Sequence, residues 1–243
     1  MNMKVVLMYH DIVTRDDTSS GFQNDSAFQY KVEVGKFEEQ VKALADRNDV
    51  VFTFDDGGVS FLTAAAPILE EYGKRGVFFI TTKYIGANGF LTKEQVKELE
   101  ERGHIIGSHS HSHPGNIASL PAMGMEAEWR ESCTILEDIL GHEVKYGSIP
   151  NGYGSKVLNT SALRVGITDL FTSVPTVMEK SLGEQKIWGR YVVHRNMSVE
   201  DVVALATDKR HQHLMYLRWW ILEQVKVILG SKYSRAKEMF VQK

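Results

Sequence analysis

A single cysteine, Cys133, among 243 residues rules out an internal disulfide and suits a reducing compartment. No apolar run approaches the roughly 20 residues a membrane-spanning helix needs. The apolar stretch at residues 4–9 is too short for a secretion signal, so a cytoplasmic location is expected. Basic residues are not in excess: the formal net charge is −3, which gives no electrostatic reason to expect nucleic acid. No repeat of about 20–50 residues is present, and no Pro/Gly/Ser-rich linker divides the first two hundred residues. The hydrophobic and charged fractions, 43% and 24%, are those of a globular chain, with room for one domain or one domain plus an appendage.

One stretch organises the rest. Val50-Val51-Phe52-Thr53-Phe54 runs directly into Asp55-Asp56-Gly57-Gly58. An apolar run bounded by glycine reads as a buried strand, with both carboxylates where the strand gives way to its loop. Adjacent carboxylates repel unless something positive lies between them, and a metal ion would do that. Further ligands follow about fifty residues on, in Gly107-Ser108-His109-Ser110-His111-Ser112-His113-Pro114. In a helix or tight turn His109 and His113 share a face; in an extended segment all three histidines do. Two histidines and one carboxylate are a common divalent-metal set with positions left open for water.

Residues 5–9 read as a first buried strand ending in His10-Asp11, with residues 14–33 as a polar loop able to rim a groove. Residues 34–45 carry Val34, Phe37, Val41 and Leu44 at helical spacing. Residues 61–72 read as a helix closed by Gly73, and 77–80 as a continuous apolar strand. Thr92 with Gln95 has the form of a capping box, starting a helix that ends near Gly103. Ile105-Ile106 opens the strand that leads to the histidines, and 126–140 form the next helix. Cys133 falls in that helix's apolar stripe as a small buried residue. Residues 170–173 and 187–194 read as later strands, and Ser198 starts a helix running to about residue 207. Strands alternating with helices predict parallel βαβ units, whose sites lie at the carboxyl ends of the strands; both motifs do.

Thr53-Phe54-Asp55-Asp56-Gly57 and His109-Ser110-His111-Ser112-His113, with the lead-in Arg102-Gly103-His104-Ile105-Ile106-Gly107-Ser108, resemble the first two motifs of the NodB-like polysaccharide deacetylases, carbohydrate esterase family 4. The resemblance spans about residues 4–205. It implies an α/β fold, a distorted and incomplete (β/α) barrel of about seven strands over residues 1–207, with 208–243 as a helical extension. It further implies a metal-dependent hydrolase that removes N-acetyl groups from amino sugars of a glycan. In that reading Asp56, His109 and His113 hold a divalent ion, zinc first, with cobalt, nickel, manganese or iron as other occupants. Asp55 is the general base.

The later motifs depart from the family. In Ser148-Ile149-Pro150-Asn151-Gly152, Pro150 and Gly152 match the third motif, while Ser148 stands in place of its arginine and Asn151 in place of its aromatic residue. The arginine steadies the catalytic Asp in the family, so its loss puts the support of Asp55 in doubt, and Arg190 is the candidate replacement. Pro150 and Asn151 are candidate substrate contacts, and the backbone N–H of Asn151 can still stabilise an oxyanion. The fourth and fifth motifs are indistinct, leaving His194 as the candidate general acid. These departures keep two other readings open: hydrolysis of a cyclic amide or imide on the same barrel, and a catalytically degenerate glycan-binding protein. From Lys209 onward eight basic residues accompany two acidic ones among Leu214, Leu217, Trp219, Trp220 and Ile221. That composition predicts a helix pair packed on the barrel or on a second copy of the chain, with peripheral contact at the inner membrane face as the other occupant.

Overall fold

The computed structural model describes residues 4–15 and 18–229; the part of the basic tail from residue 230 onward lies outside them. The elements follow in order: β1 (Val5–Tyr9), β2 (Ile12–Val13), α1 (Asp25–Phe28), β3 (Val32–Glu33), α2 (Val34–Ala43), β4 (Val50–Phe54), α3 (Ala66–Glu71), β5 (Gly76–Ile80), α4 (Lys93–Glu101) and β6 (Ile105–Ser108). Then come α5 (Ala122–Leu140), β7 (Tyr146–Ser148), α6 (Lys156–Arg164), β8 (Asp169–Phe171), β9 (Lys180–Leu182), β10 (Gln185–Trp188), β11 (Tyr191–Val192), α7 (Val199–Thr207) and α8 (Lys209–Leu229).

The main sheet has nine strands in the order β11-β1-β4-β5-β6-β7-β8-β10-β9, where the sequence predicts about seven. Every pairing is parallel except β10 with β9. All five residues of β1 and of β5 are buried, and four of five in β4, as expected where both faces of a parallel sheet are covered. Phe37, Phe52, Phe54, Phe61 and Phe78 fill one core cluster with Trp129 and Tyr9. Tyr9 lies between Phe37 and Phe54, at centroid distances of 5.1 and 5.6 Å.

The stretch 187–194, expected as a single strand, is two. Trp188 pairs with Phe171 near one edge of the sheet, and Tyr191 pairs with Leu7 at the other. Only Gly189 and Arg190 join them, so Trp188 and Tyr191 stand no more than about 11 Å apart. The sheet therefore curls until its edges almost meet, an open barrel with its seam at Gly189-Arg190. A Cβ on Gly189 would fall 2.5 Å from the Thr176 carbonyl oxygen and 2.6 Å from that of Val174, which is why the crossing needs glycine.

Local signals set the helices. Thr92 and Ser198 both cap their helices with complete capping boxes. The helix expected from residue 126 starts earlier, at Ala122, because Pro121 supplies a φ of −56° at its entrance. Residues 61–65 form a π-helical turn ahead of α3, where Pro67 has no N–H to return to Thr63. Among the described residues, no helix is long and apolar enough to cross a membrane.

Candidate active site

β4 and β6 end at the same rim of the barrel, bringing the two motifs together. Asp55 N–H still bonds to the Tyr9 carbonyl, continuing the β1–β4 ladder. Asp56 then takes a φ of 89° and Gly57 one of 95°, turning the chain so that both carboxylates face one cavity. A positive φ is costly for an aspartate, and it is held where β4 meets the site.

The histidine turn is built the same way. Ser110 and His113 have φ values of 62° and 55°. Ser108 Oγ accepts from the Ser110 N–H, and Ser110 Oγ from the His113 N–H. Glu128 of α5 anchors the turn from outside, accepting from the Ser112 N–H at 2.8 Å and from its hydroxyl at 2.6 Å. His109 and His113 consequently face Asp56, while His111 turns away to Thr82 and Glu131.

Nε2 of His109 and Nε2 of His113 each lie 3.4 Å from Asp56 Oδ1, and all three ligand atoms fall within 4.8 Å of one another. Two donors each about 2.0–2.1 Å from a tetrahedral ion stand about 3.4 Å apart, so the spacing suits a divalent metal. The Ser148 carbonyl lies 2.9 Å from His109 Nδ1; it can only accept, so the proton sits on Nδ1 and Nε2 is a free donor atom. Burial pushes His109 down, but the Asp55 and Asp56 carboxylates outweigh it and hold the imidazole above 6.5. His113 is pushed down to about 4 by burial and by the neighbouring His109. For Asp56, burial works upward and is outweighed by the His109 hydrogen bond and by the charges of His10 and the two histidines.

Arg190 reaches the buried Asp55 from the seam. Its Nη1 donates to Oδ1 at 2.7 Å and its Nη2 to Oδ2 at 2.8 Å. Nη2 also donates to Ser148 Oγ, which in turn donates to Asp55 Oδ2 at 3.0 Å. Nε donates to the Thr172 carbonyl and Nη1 to Thr53 Oγ1. All five guanidinium directions are thereby used in a fully buried side chain. Burial would raise the Asp55 carboxyl, yet the Arg190 and His109 charges hold it well below the usual carboxylate range. Three of the roughly four acceptor sites on Asp55 are occupied, which leaves one, on Oδ1.

The cavity over these groups measures about 560 Å³ and takes His10, Phe22, Tyr30, Asn151 and Tyr153 into its wall. Pro150 is buried in the turn that carries Asn151, whose φ is 56°. His194 is not on this wall. Tyr30 stacks on His10 at 4.6 Å and on His194 at 5.0 Å, standing between the two rings. Phe22 and Tyr30 come from the 14–33 stretch expected to rim a groove, and His10 from the end of the first strand; no local pattern singles out these residues individually or the bridging part of Ser148.

A family model described as polysaccharide deacetylase matches residues 42–170, just over half of the chain. The Bacillus subtilis (strain 168) protein YxkH is 27% identical over 146 residues, 60% of this chain and 50% of that one. A peptidoglycan-N-acetylglucosamine deacetylase of Bacillus cereus is 30% identical over 128 residues, 50% of this chain and 45% of its own length. The chain thus spans about half the length of these curated relatives. Among solved structures, IcaB from Ammonifex degensii superposes with a TM-score of 0.68 at 21% identity, covering 83% of this chain and 96% of that one. The Streptococcus pyogenes deacetylase PplD, solved with acetate, gives 0.66 at 19%, covering 84% and 97%. At these identities the superpositions establish the shared fold.

Proposed function

Because the chain belongs to the polysaccharide deacetylase family, we propose that it removes N-acetyl groups from the amino sugars of a glycan. The observation that carries this reading is Asp55: a buried carboxylate braced by Arg190, beside a three-donor metal set, with one acceptor site left over. Asp56, His109 and His113 would hold the ion, zinc being the first choice for a tetrahedral nitrogen and oxygen set. When bound, such an ion supplies Lewis-acid chemistry, acidifying water and polarising an acetyl carbonyl. Asp55 takes the proton from the attacking water through its open Oδ1 site. The Asn151 N–H offers a hydrogen bond to the developing oxyanion, with Pro150 fixing the turn against the substrate.

The leaving amine needs a proton. His10 lies on the cavity wall, whereas His194 stands behind Tyr30, so His10 takes the donor role and His194 supports the stack. Loss of a general acid harms an amide far more than an ester with a good leaving group. His10→Ala should therefore cut acetate release from an N-acetylated glycan by about 10²–10³-fold while sparing an activated acetate ester. Equal losses on both, or a loss confined to His194→Ala, would reject the assignment.

Acetate release from partially acetylated chitooligosaccharides and poly-N-acetylglucosamine tests the function itself, run on metal-loaded protein beside Asp55→Asn with metal content assayed in both. Release that disappears in Asp55→Asn with metal retained supports the reading. Metal bound without release in the parent protein overturns it.

Residues 1–207 form the catalytic unit in this proposal, and 208–243 an extension. The outer side of α8 exposes Leu214, Leu217 and Ile221 beside Arg210 and Arg218, which suits an anionic membrane surface at the inner face. Flotation with anionic vesicles should carry the full chain and leave a protein ending at residue 207 behind; equal partitioning would discard the idea.

A further inference from the structure

A second cavity, about 850 Å³, lies beside the first and shares Ile149, Asn151 and Tyr153 with it. The partition between the two consists of the Pro150–Gly152 turn after β7 and the Thr172-Ser173 segment after β8; Thr172 faces the second cavity and Ser173 the first. Both volumes are in the range of small-ligand pockets, about 300–1,000 Å³. The second one opens at the carboxyl ends of the strands, where α/β sheets bind their ligands. Its far wall does not belong to the barrel: Trp219 and Glu223 of α8 close it.

The placement of Trp219 follows from the helix. Gln212, Met215, Trp219 and Glu223 recur at helical spacing and define the inner side of α8. Gln212 Nε2 donates to the Leu205 carbonyl at 2.8 Å, and Met215 packs against the main core. These two contacts fix the helix on the barrel and aim Trp219 at the cavity. Tyr216 braces the indole, with ring centroids 5.7 Å apart. Trp220, one residue on, is 48% exposed on the outer side.

We infer that this cavity is a glycan subsite in which Trp219 stacks on a sugar ring next to the one being deacetylated. A pyranose carries an apolar face of axial C–H bonds, slightly positive, which packs on the negative face of an aromatic ring. The cavity offers that platform together with polar groups at its rim, Asn151, Thr176 and Lys180 among them, which suit ring hydroxyls. A chain leaving the metal-side cavity over Asn151 and Tyr153 enters it directly, since both residues line the two cavities. The inference rests on the deacetylase reading and adds to it a preference for oligosaccharides over short substrates, conferred by the C-terminal helix.

The test compares Trp219→Leu, which keeps apolar bulk on the inner side of α8, with Trp219→Phe, which keeps a flat ring, and with Trp220→Ala as an outer-side control. Steady-state acetate release is measured on N-acetylchitohexaose and on the monosaccharide N-acetylglucosamine. Trp219→Leu should raise KM for the hexasaccharide about tenfold, equivalent to about 1.4 kcal/mol, with kcat and the monosaccharide parameters near those of the parent. Trp219→Phe should recover most of the loss, and Trp220→Ala should change neither. Equal effects on both lengths, or none, overturn the subsite while leaving the deacetylase reading intact. Hexasaccharide binding to the holoprotein, followed by intrinsic fluorescence, separates the two ideas. Binding that depends on Trp219 without acetate release supports the subsite and sinks the deacetylase reading.

Discussion

Removing the Arg190 guanidinium leaves Asp55 as a carboxylate buried in the barrel with Ser148 as its remaining donor. Breaking one side of a buried ion pair typically costs about 3–5 kcal/mol, so Arg190→Ala should lose that much stability in denaturant unfolding. It should also lose acetate release, because Asp55 no longer keeps its orientation or its low pKa. Arg190→Lys restores charge without the two-pronged geometry and should recover stability better than activity; a lysine variant with parent activity would show that only the charge matters. Legibility at this scale was uneven. Asp55, Asp56, His109 and His113 could be read because strand ends place them at one rim and the motif spacing is contiguous. The partner of Asp55 could only be nominated, since Arg190 lies 135 residues away and meets it through tertiary curvature that no local pattern encodes. The link through Ser148 was invisible: a serine where an arginine was expected looked like a loss, and instead it joins Arg190 to Asp55.

Among the elements, the crossing at Gly189 is the most constrained. A methyl group there collides with two backbone carbonyls, which unlike side-chain tips cannot swing aside. Gly189→Ala should cost about 1–3 kcal/mol, the range for overpacking, and should lower activity more than a mutation of equal cost elsewhere, since it shifts the residue adjoining Arg190. Parent activity in a stably folded Gly189→Ala protein would contradict this. Helix boundaries with explicit caps, at Thr92 and Ser198, were readable to the residue. The split of 187–194 was not, because Ile187-Trp188 and Tyr191-Val192-Val193 flank Gly189-Arg190 closely enough to read as one strand, and strand period says nothing about which edge each half joins. The inner and outer sides of α8 were equally hidden, as its apolar residues surround most of the helix.

Over the whole molecule, the proposed metal set couples folding to pH. His109 is held above its ordinary 6.5, so in metal-free protein its proton stabilises the fold below about pH 6.5, and that contribution is lost as pH rises through the folded value. Metal must displace the same proton, so affinity rises over the same interval. His113, down at about 4, is neutral throughout. The gap in Tm between zinc-loaded and chelator-treated protein should accordingly widen from about pH 6 to about pH 8; a constant gap would mean that His109 is not a ligand.

The seam also separates the proposed metal donors from the brace of Asp55 along the chain. Asp56, His109 and His113 all precede residue 114, whereas Arg190 is made some eighty residues later. Synthesis thus supplies every donor of the proposed metal set before the residue that steadies Asp55. In the proposed reaction, competence waits until the two edges of the sheet are drawn together, so the last turn of the barrel would serve as a safety catch.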